Sequence, residues 1–152
     1  MPGACCFFGH RDTPSDVYPI VVAVIKRIVV EQDVQTFYVG SHGNFDRITT
    51  SAVRDVKADH PEIELLLVTP YLSPDKTRYE GYYDGIIFPE GLELGPKKYA
   101  ILRRNRMVVD MSDYIIAYVG YSWGGAAKAL EYARSIKQPP VILNLYEDRH
   151  AI

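Results

Sequence analysis

Only two cysteines, one tryptophan and three methionines occur among the 152 residues, and no long apolar run goes uninterrupted. Each scarcity removes a class of protein. Cys5 and Cys6 are adjacent in an apolar stretch, and neighbours on a strand point to opposite faces, so an ordinary structural disulfide between them is not expected. A reducing, cytoplasmic setting fits. His10, His42, His60 and His150 are scattered without CxxC or HExxH spacing, so no metal site is expected. Neither a Walker lysine motif nor a GxSxG elbow is present, and no cofactor is called for. The greasiest stretch, "VYPIVVAVIKRIVV", is broken by Lys26 and Arg27, and the opening "MPGACCFFGHR" lacks the basic end and cleavage site of a signal peptide. No membrane partner is expected. Positive charge is also scarce: 17 Lys and Arg against 19 Asp and Glu leave a net charge of −2. No overall positive field steers phosphate backbones toward such a chain, so nucleic acid is not expected as its main partner, although local basic clusters stay open.

What is present is an alternation. "ACCFFG" (4 to 9), "TFYVG" (36 to 40), "IELLLVT" (63 to 69), "DYIIAYVG" (113 to 120) and "PVILNL" (140 to 145) are short, nearly continuous apolar runs, as expected of strands covered on both faces. Helical stretches separate them. The first, "SDVYPIVVAVIKRIVVEQ", has Asp16 as a cap candidate and an early Pro19; the second, "NFDRITTSAVRDVKADH", starts at Asn44 or Asp46; the others span 97 to 111 and 124 to 137. This order predicts a single α/β domain over 1 to 152, a Rossmann-like three-layer, doubly wound parallel sheet of about five strands. Residues 70 to 96 break the rhythm with tyrosines, prolines, glycines and one short strand candidate, "GIIF". A connection this long is either a ligand lid or an oligomer-covering or packed surface loop, and a homo-oligomer is expected.

Ligands of an open parallel sheet sit beyond the carboxyl ends of its strands. Those ends read Gly9-His10-Arg11, Gly40-Ser41-His42-Gly43, Thr69-Pro70-Tyr71 and Gly120-Tyr121-Ser122-Trp123-Gly124-Gly125. Glycine permits close backbone approach, and a helix starting directly afterwards aims free N–H groups at an anion. Gly124-Gly125 ahead of "AAKALEYA" is the best single case. His10 is either a base or ligand donor or a cap on the next turn, and Ser41 beside His42 lacks a third group for a triad. Tyr118, Tyr121 and Trp123 either stack a base or pack. One polar residue stands out in "LRRNRMVV". At about 100° per residue, Ile101, Asn105 and Val108 share a line, which puts Asn105 inside the apolar stripe with Arg104 and Arg106 on its flanks. A buried amide has to be paired, with a loop, a side chain or a ligand.

"CCFFGHRDT", "YVGSHGNFD", "RRNRMVVDMSDYIIAY" and "GGAAKALEYA", in that order, resemble the SLOG superfamily, the Rossmann-like group containing the DNA-processing protein DprA and the LOG cytokinin-activating enzymes. The "GHR" after the first strand is similar to its YpsA-type branch. The resemblance covers nearly the whole chain. It implies a nucleotide or nucleotide-derived ligand, with the protein acting as a sensor or as a sequestering protein. That ligand would be held by Gly9, His10, Arg11, Gly40, Ser41, Gly43, Arg104, Asn105, Gly124 and Gly125, with Arg11 and Arg104 near phosphate. Against the PGGxGTxxE motif of LOG enzymes, Gly124, Gly125 and Glu131 keep the spacing and Arg104 matches the arginine, while Ala127 and Lys128 replace the glycine and threonine. The alternative so implied is a nucleoside 5'-monophosphate N-glycosidase with Glu131 and Arg104 as catalytic residues. Against it, Glu131 and Lys128 fall on the far side of their helix and read equally as a surface pair. A third alternative is a DprA-like nucleic-acid-processing accessory, for which Tyr79, Tyr82, Tyr83, Lys97 and Lys98 offer a small aromatic and basic set.

Overall fold

The computed structural model describes residues 2–70, 81–89 and 95–148. Most of the 70–96 segment singled out in the sequence therefore lies outside the described residues, as do Tyr71, Tyr79 and His150.

Strand β1 (Gly3–Gly9) explains the three-layer build in four residues. Its side chains alternate: Cys5 and Phe7 enter one core with the apolar faces of α1 (Tyr18–Gln32) and α2 (Gly43–Asp59). Cys6 and Phe8 enter the other, against α3 (Lys97–Asp110) and α4 (Gly125–Ser135). A strand buried on both faces needs a continuous apolar run, which "ACCFFG" supplies. The helices instead carry stripes at helical spacing: Val21, Val24, Ile25 and Ile28 on α1, and Phe45, Ile48, Ala52, Val53 and Val56 on α2. Burial pushes the Cys6 thiol up to about 12 and raises that of Cys5 as well, so both stay protonated.

The remaining strands are β2 (Val34–Val39), β3 (Glu64–Val68), β4 (Gly85–Ile87), β5 (Tyr114–Tyr118) and β6 (Val141–Asn144). They form one parallel sheet in the order β4-β3-β2-β1-β5-β6. The chain winds outward from β1 to one edge, crosses back to pair β5 with β1, and continues to the other edge, which is the doubly wound Rossmann-like arrangement. The sixth strand beyond the expected five is the short "GII" segment. Several ends differ from the sequence reading: α2 starts at Gly43 with His42 as N-cap rather than at Asn44 or Asp46, and α4 stops at Ser135 rather than 137. Helix α1 is entered through a 3-10 turn (Ser15–Val17) with Val17 rather than Asp16 as N-cap, and Pro19 lies in its first turn. Leu145, read as strand, starts the short helix α5 (Leu145–Asp148). No helix among the described residues is long and apolar enough to cross a membrane.

Candidate functional site

The order of winding reverses between β1 and β5, and a cleft of about 610 Å³ opens at their carboxyl ends. Gly9, His10, Arg11, Gly40, Ser41, Arg104, Asn105, Gly124 and Gly125 all line it. Gly43 stands behind the wall. Its φ is +84°, and a Cβ there would lie 2.9 Å from the Arg11 backbone, so this glycine lets the β2 turn press against the β1 turn. The Asn44 N–H donates to the Arg11 carbonyl at 2.9 Å and completes the junction.

The floor is set by Arg104, which is 7% exposed. The buried line of α3 is Ala100, Arg104 and Val108, one residue away from the projected line; Ile101 is exposed and Asn105 only partly buried. The polar group that requires partners is thus the arginine rather than the amide. Its Nε donates to the Val68 carbonyl at the end of β3 (2.9 Å), and its Nη1 donates to Asn105 Oδ1 (3.1 Å). Asn105 answers its own puzzle by holding the guanidinium. The Nη2 edge lies beside Gly40, where a Cβ would sit 3.3 Å from it and 2.7 Å from Asp46 Oδ2. Burial raises the pKa of the Asp46 carboxyl; the His42 N–H it accepts at 2.8 Å and the Arg104 charge oppose that shift. Burial likewise lowers the pKa of Arg104, and Asp46 offsets this.

The opposite wall is the turn after β5. Asn144 clamps its root: the Val119 N–H donates to Asn144 Oδ1 (3.1 Å), and Asn144 Nδ2 donates to the Val119 carbonyl (3.0 Å). The Gly120 N–H donates to His10 Nε2 (2.8 Å), so that nitrogen is unprotonated and His10 serves the turn as an acceptor. Burial lowers the His10 pKa, against an opposing effect of Asp12. Gly124 caps α4 with φ +94°, and the first turn of the helix begins at the cleft. Free N–H groups of such a turn accept an anion.

Glu131 is not at this site. It is exposed and lines a separate hollow with Arg134, Asn144 and Tyr146, so the fold does not bring Glu131 and Arg104 together. Lys128 lines a third hollow, between α3 and α4, with Lys98 and Arg106. Arg106 lies over the Tyr132 ring at 5.1 Å, away from the cleft. Asp110 and Asp113 are structural: Asp110 accepts from the Tyr132 hydroxyl (2.8 Å) and Asp113 from the Ala4 N–H (3.0 Å). Sequence reasoning missed Asp46 and Asp12 as cleft residues and Asn144 as the clamp. A carboxylate four residues after His42 was the available signal for Asp46; for Asn144, whose partner is 25 positions away, there was none.

No family model matches the chain. It is 26% identical over 135 residues to the uncharacterized SPbeta prophage-derived protein YoqJ of Bacillus subtilis (strain 168), covering 75% of this chain and 78% of that protein. Among solved structures it is similar to DNA processing protein A from Helicobacter pylori, a protein described for a unique single-stranded DNA binding mode. There the TM-score is 0.63 and the identity 18%, over 93% of this chain. It is also similar to DNA processing protein A (DprA) from Streptococcus pneumoniae, with a TM-score of 0.56 and 15% identity over 99% of this chain. The chain spans 65% and 61% of the lengths of these two proteins. The structural neighbours are thus DNA processing A proteins, and the likeness establishes the Rossmann-like fold. It also corrects one expectation. Net charge does not set nucleic acid aside as a partner, because a fold neighbour with a described single-stranded DNA binding mode overturns that inference. The physical reason is that net charge sums the whole surface, whereas the α3–α4 hollow gathers Lys98, Arg106 and Lys128 with no carboxylate among its described lining residues.

Proposed function

We propose that this chain is a SLOG-type domain, of the YpsA-type branch, whose cleft binds the phosphate of a nucleotide or nucleotide-derived small molecule, as a sensor or a sequestering protein. The observation that carries this reading is Arg104, a buried guanidinium fixed by Val68 and Asn105 at the floor of the cleft, facing a helix N-terminus across it. A charge-assisted, bidentate phosphate contact needs a donor held in this way. The two unpaired buried thiols support a cytoplasmic setting, and self-association is part of the proposal. The N-glycosidase alternative draws no support from the geometry, since its carboxylate lines another hollow. A second reading, in which the phosphate belongs to a single strand, is favoured by the basic α3–α4 hollow, which adjoins the cleft through Asn105, Gly124 and Gly125.

A dye-monitored melt tests both. Nucleoside monophosphates at about a hundred times Kd are expected to raise the midpoint by roughly 5–10 °C, and matching nucleosides at equal concentration far less. Arg104→Met is expected to remove the shift and Arg106→Ala to keep it. Equal stabilisation by nucleotide and nucleoside sinks the phosphate claim. A shift with a short single-stranded oligonucleotide and none with monophosphates replaces the first reading with the second.

A further inference from the structure

Three aromatic rings from the two sides of the cleft form one column. His10 and Tyr121 are stacked with centroids 3.5 Å apart and planes 5° from parallel, and Tyr121 and Trp123 follow at 4.2 Å and 24°. The inner end is fixed: His10 accepts the Gly120 N–H, its carbonyl accepts from the Thr13 hydroxyl at 2.6 Å, and the Tyr146 ring occupies the space a side chain at Gly120 would need. The outer end is open. Trp123 lines the cleft yet is 68% exposed, although an indole is among the most costly side chains to leave in water. A large ring stacked on its inner face and otherwise presented to solvent is a stacking surface that lacks one layer.

We propose that the His10–Tyr121–Trp123 column is the base end of the cleft, with a nucleobase stacking on the free face of Trp123 while its phosphate meets the arginine floor. The placement of the phosphate rests on the function proposed above; the base platform stands on the column itself. Stacking uses the π-face that every base has and no edge hydrogen bonds, so discrimination among bases is weak and follows ring overlap, purine ahead of pyrimidine.

Trp123 is the one tryptophan of the chain, so its emission reports on this contact directly. The full chain is titrated with AMP, UMP, adenosine and ribose 5-phosphate, following tryptophan fluorescence and, in parallel, calorimetry. AMP is expected to quench at lower concentration than UMP, while ribose 5-phosphate binds without quenching. Trp123→Ala is expected to weaken AMP roughly 5- to 150-fold, to the level of ribose 5-phosphate, and Trp123→Phe to retain most of the affinity. Binding of ribose 5-phosphate with no Trp123-dependent gain for AMP overturns the platform and leaves the phosphate reading standing. Adenosine quenching as well as AMP, with no response to ribose 5-phosphate, supports the platform and overturns the phosphate reading. Emission that depends on protein concentration and ignores AMP would mean that a second copy of the chain covers Trp123, and the platform falls.

Discussion

The two walls of the cleft use glycine for different reasons. On the β1–β2 side every glycine is pressed by its neighbours: a side chain at Gly9 would enter the Phe45 ring, one at Gly40 would meet Asp46, and one at Gly43 would meet Arg11. On the α4 side nothing lies within 4 Å of a side chain at Gly124, and Gly125 has only Asn105 Nδ2 at 4.0 Å. The first wall is closed by packing and its glycines belong to the fold. The second leaves space in front of the free N–H groups of α4, so Gly125 belongs to whatever enters, while Gly124 also serves its φ of +94° and Gly120, at the root of the turn, is packed by Tyr146. A Gly-rich turn in a sequence is therefore two different objects, and only the surroundings separate them.

Substituting one glycine from each wall breaks the comparison most sharply. Gly9→Ala is expected to cost about 1–3 kcal/mol or more in urea unfolding, because the Phe45 ring has to move within a packed core. Gly125→Ala, at the start of a helix with open space before it, should leave stability within about 1 kcal/mol and lower nucleotide affinity instead. Equal stability losses would erase the distinction between the walls.

Asp46→Asn sharpens the same contrast with a smaller effect. It keeps an acceptor for the His42 N–H and removes a negative charge beside Arg104. At protein-like screening such a charge is worth on the order of 1 kcal/mol, so calorimetry should show phosphate binding tightened roughly fivefold. Because burial raises the Asp46 pKa in the folded state, the ionised form is the disfavoured one there, and the variant's unfolding midpoint at neutral pH should not fall. Weaker binding would show that Asp46 orients Arg104 rather than competing with its ligand.

The smallest expected effect concerns the hinge between the walls. His10 has a folded pKa below 6.5, so its neutral form is the folded one. The stability it contributes is fully present above pH 6.5 and is lost as pH falls below that value through the lowered folded pKa. Protonation at Nε2 would also cost the Gly120 N–H its acceptor. Comparing urea midpoints of the native chain and His10→Asn between pH 7.5 and 5.5 isolates this part, since the other histidines are common to both. Parallel pH profiles would assign no such role to His10.

The fold was legible because its signal is local. Five short apolar runs, "ELLLV" and "YIIAY" among them, have the length and β-rich composition of buried strands, and the helices between them carry their own stripes. Strand β4 was harder to place, since three residues have no periodicity to measure. The cleft was legible to the extent that it follows from strand ends, which is why nine of the ten nominated binding residues line it. What failed was rotation and distance. An error of one position on α3 exchanges Asn105 for Arg104, because adjacent helical residues differ by about 100°. Rotation was read correctly on α4, where the apolar stripe already put Glu131 on the far side of its helix, and it lines another hollow. The Asn144 clamp and the His10–Tyr121 stack join segments far apart in sequence, and no local pattern announces such contacts.

Strand β1 lies at the centre of the sheet, yet it is the first made. Its β5 side is fastened by residues as distant as Asp113, 109 positions beyond Ala4. At roughly 5–20 residues per second of synthesis, "ACCFFG" would wait on the order of 5–20 s, after it leaves the ribosome, for the segment that closes its second edge. During that interval a strand made to be buried on both faces is a sticky nascent edge, and helix α1 is the first cover that emerges after it. The order in which the sheet is wound is therefore also an order of exposure, and the demand for shielding falls on β1 while it awaits β5.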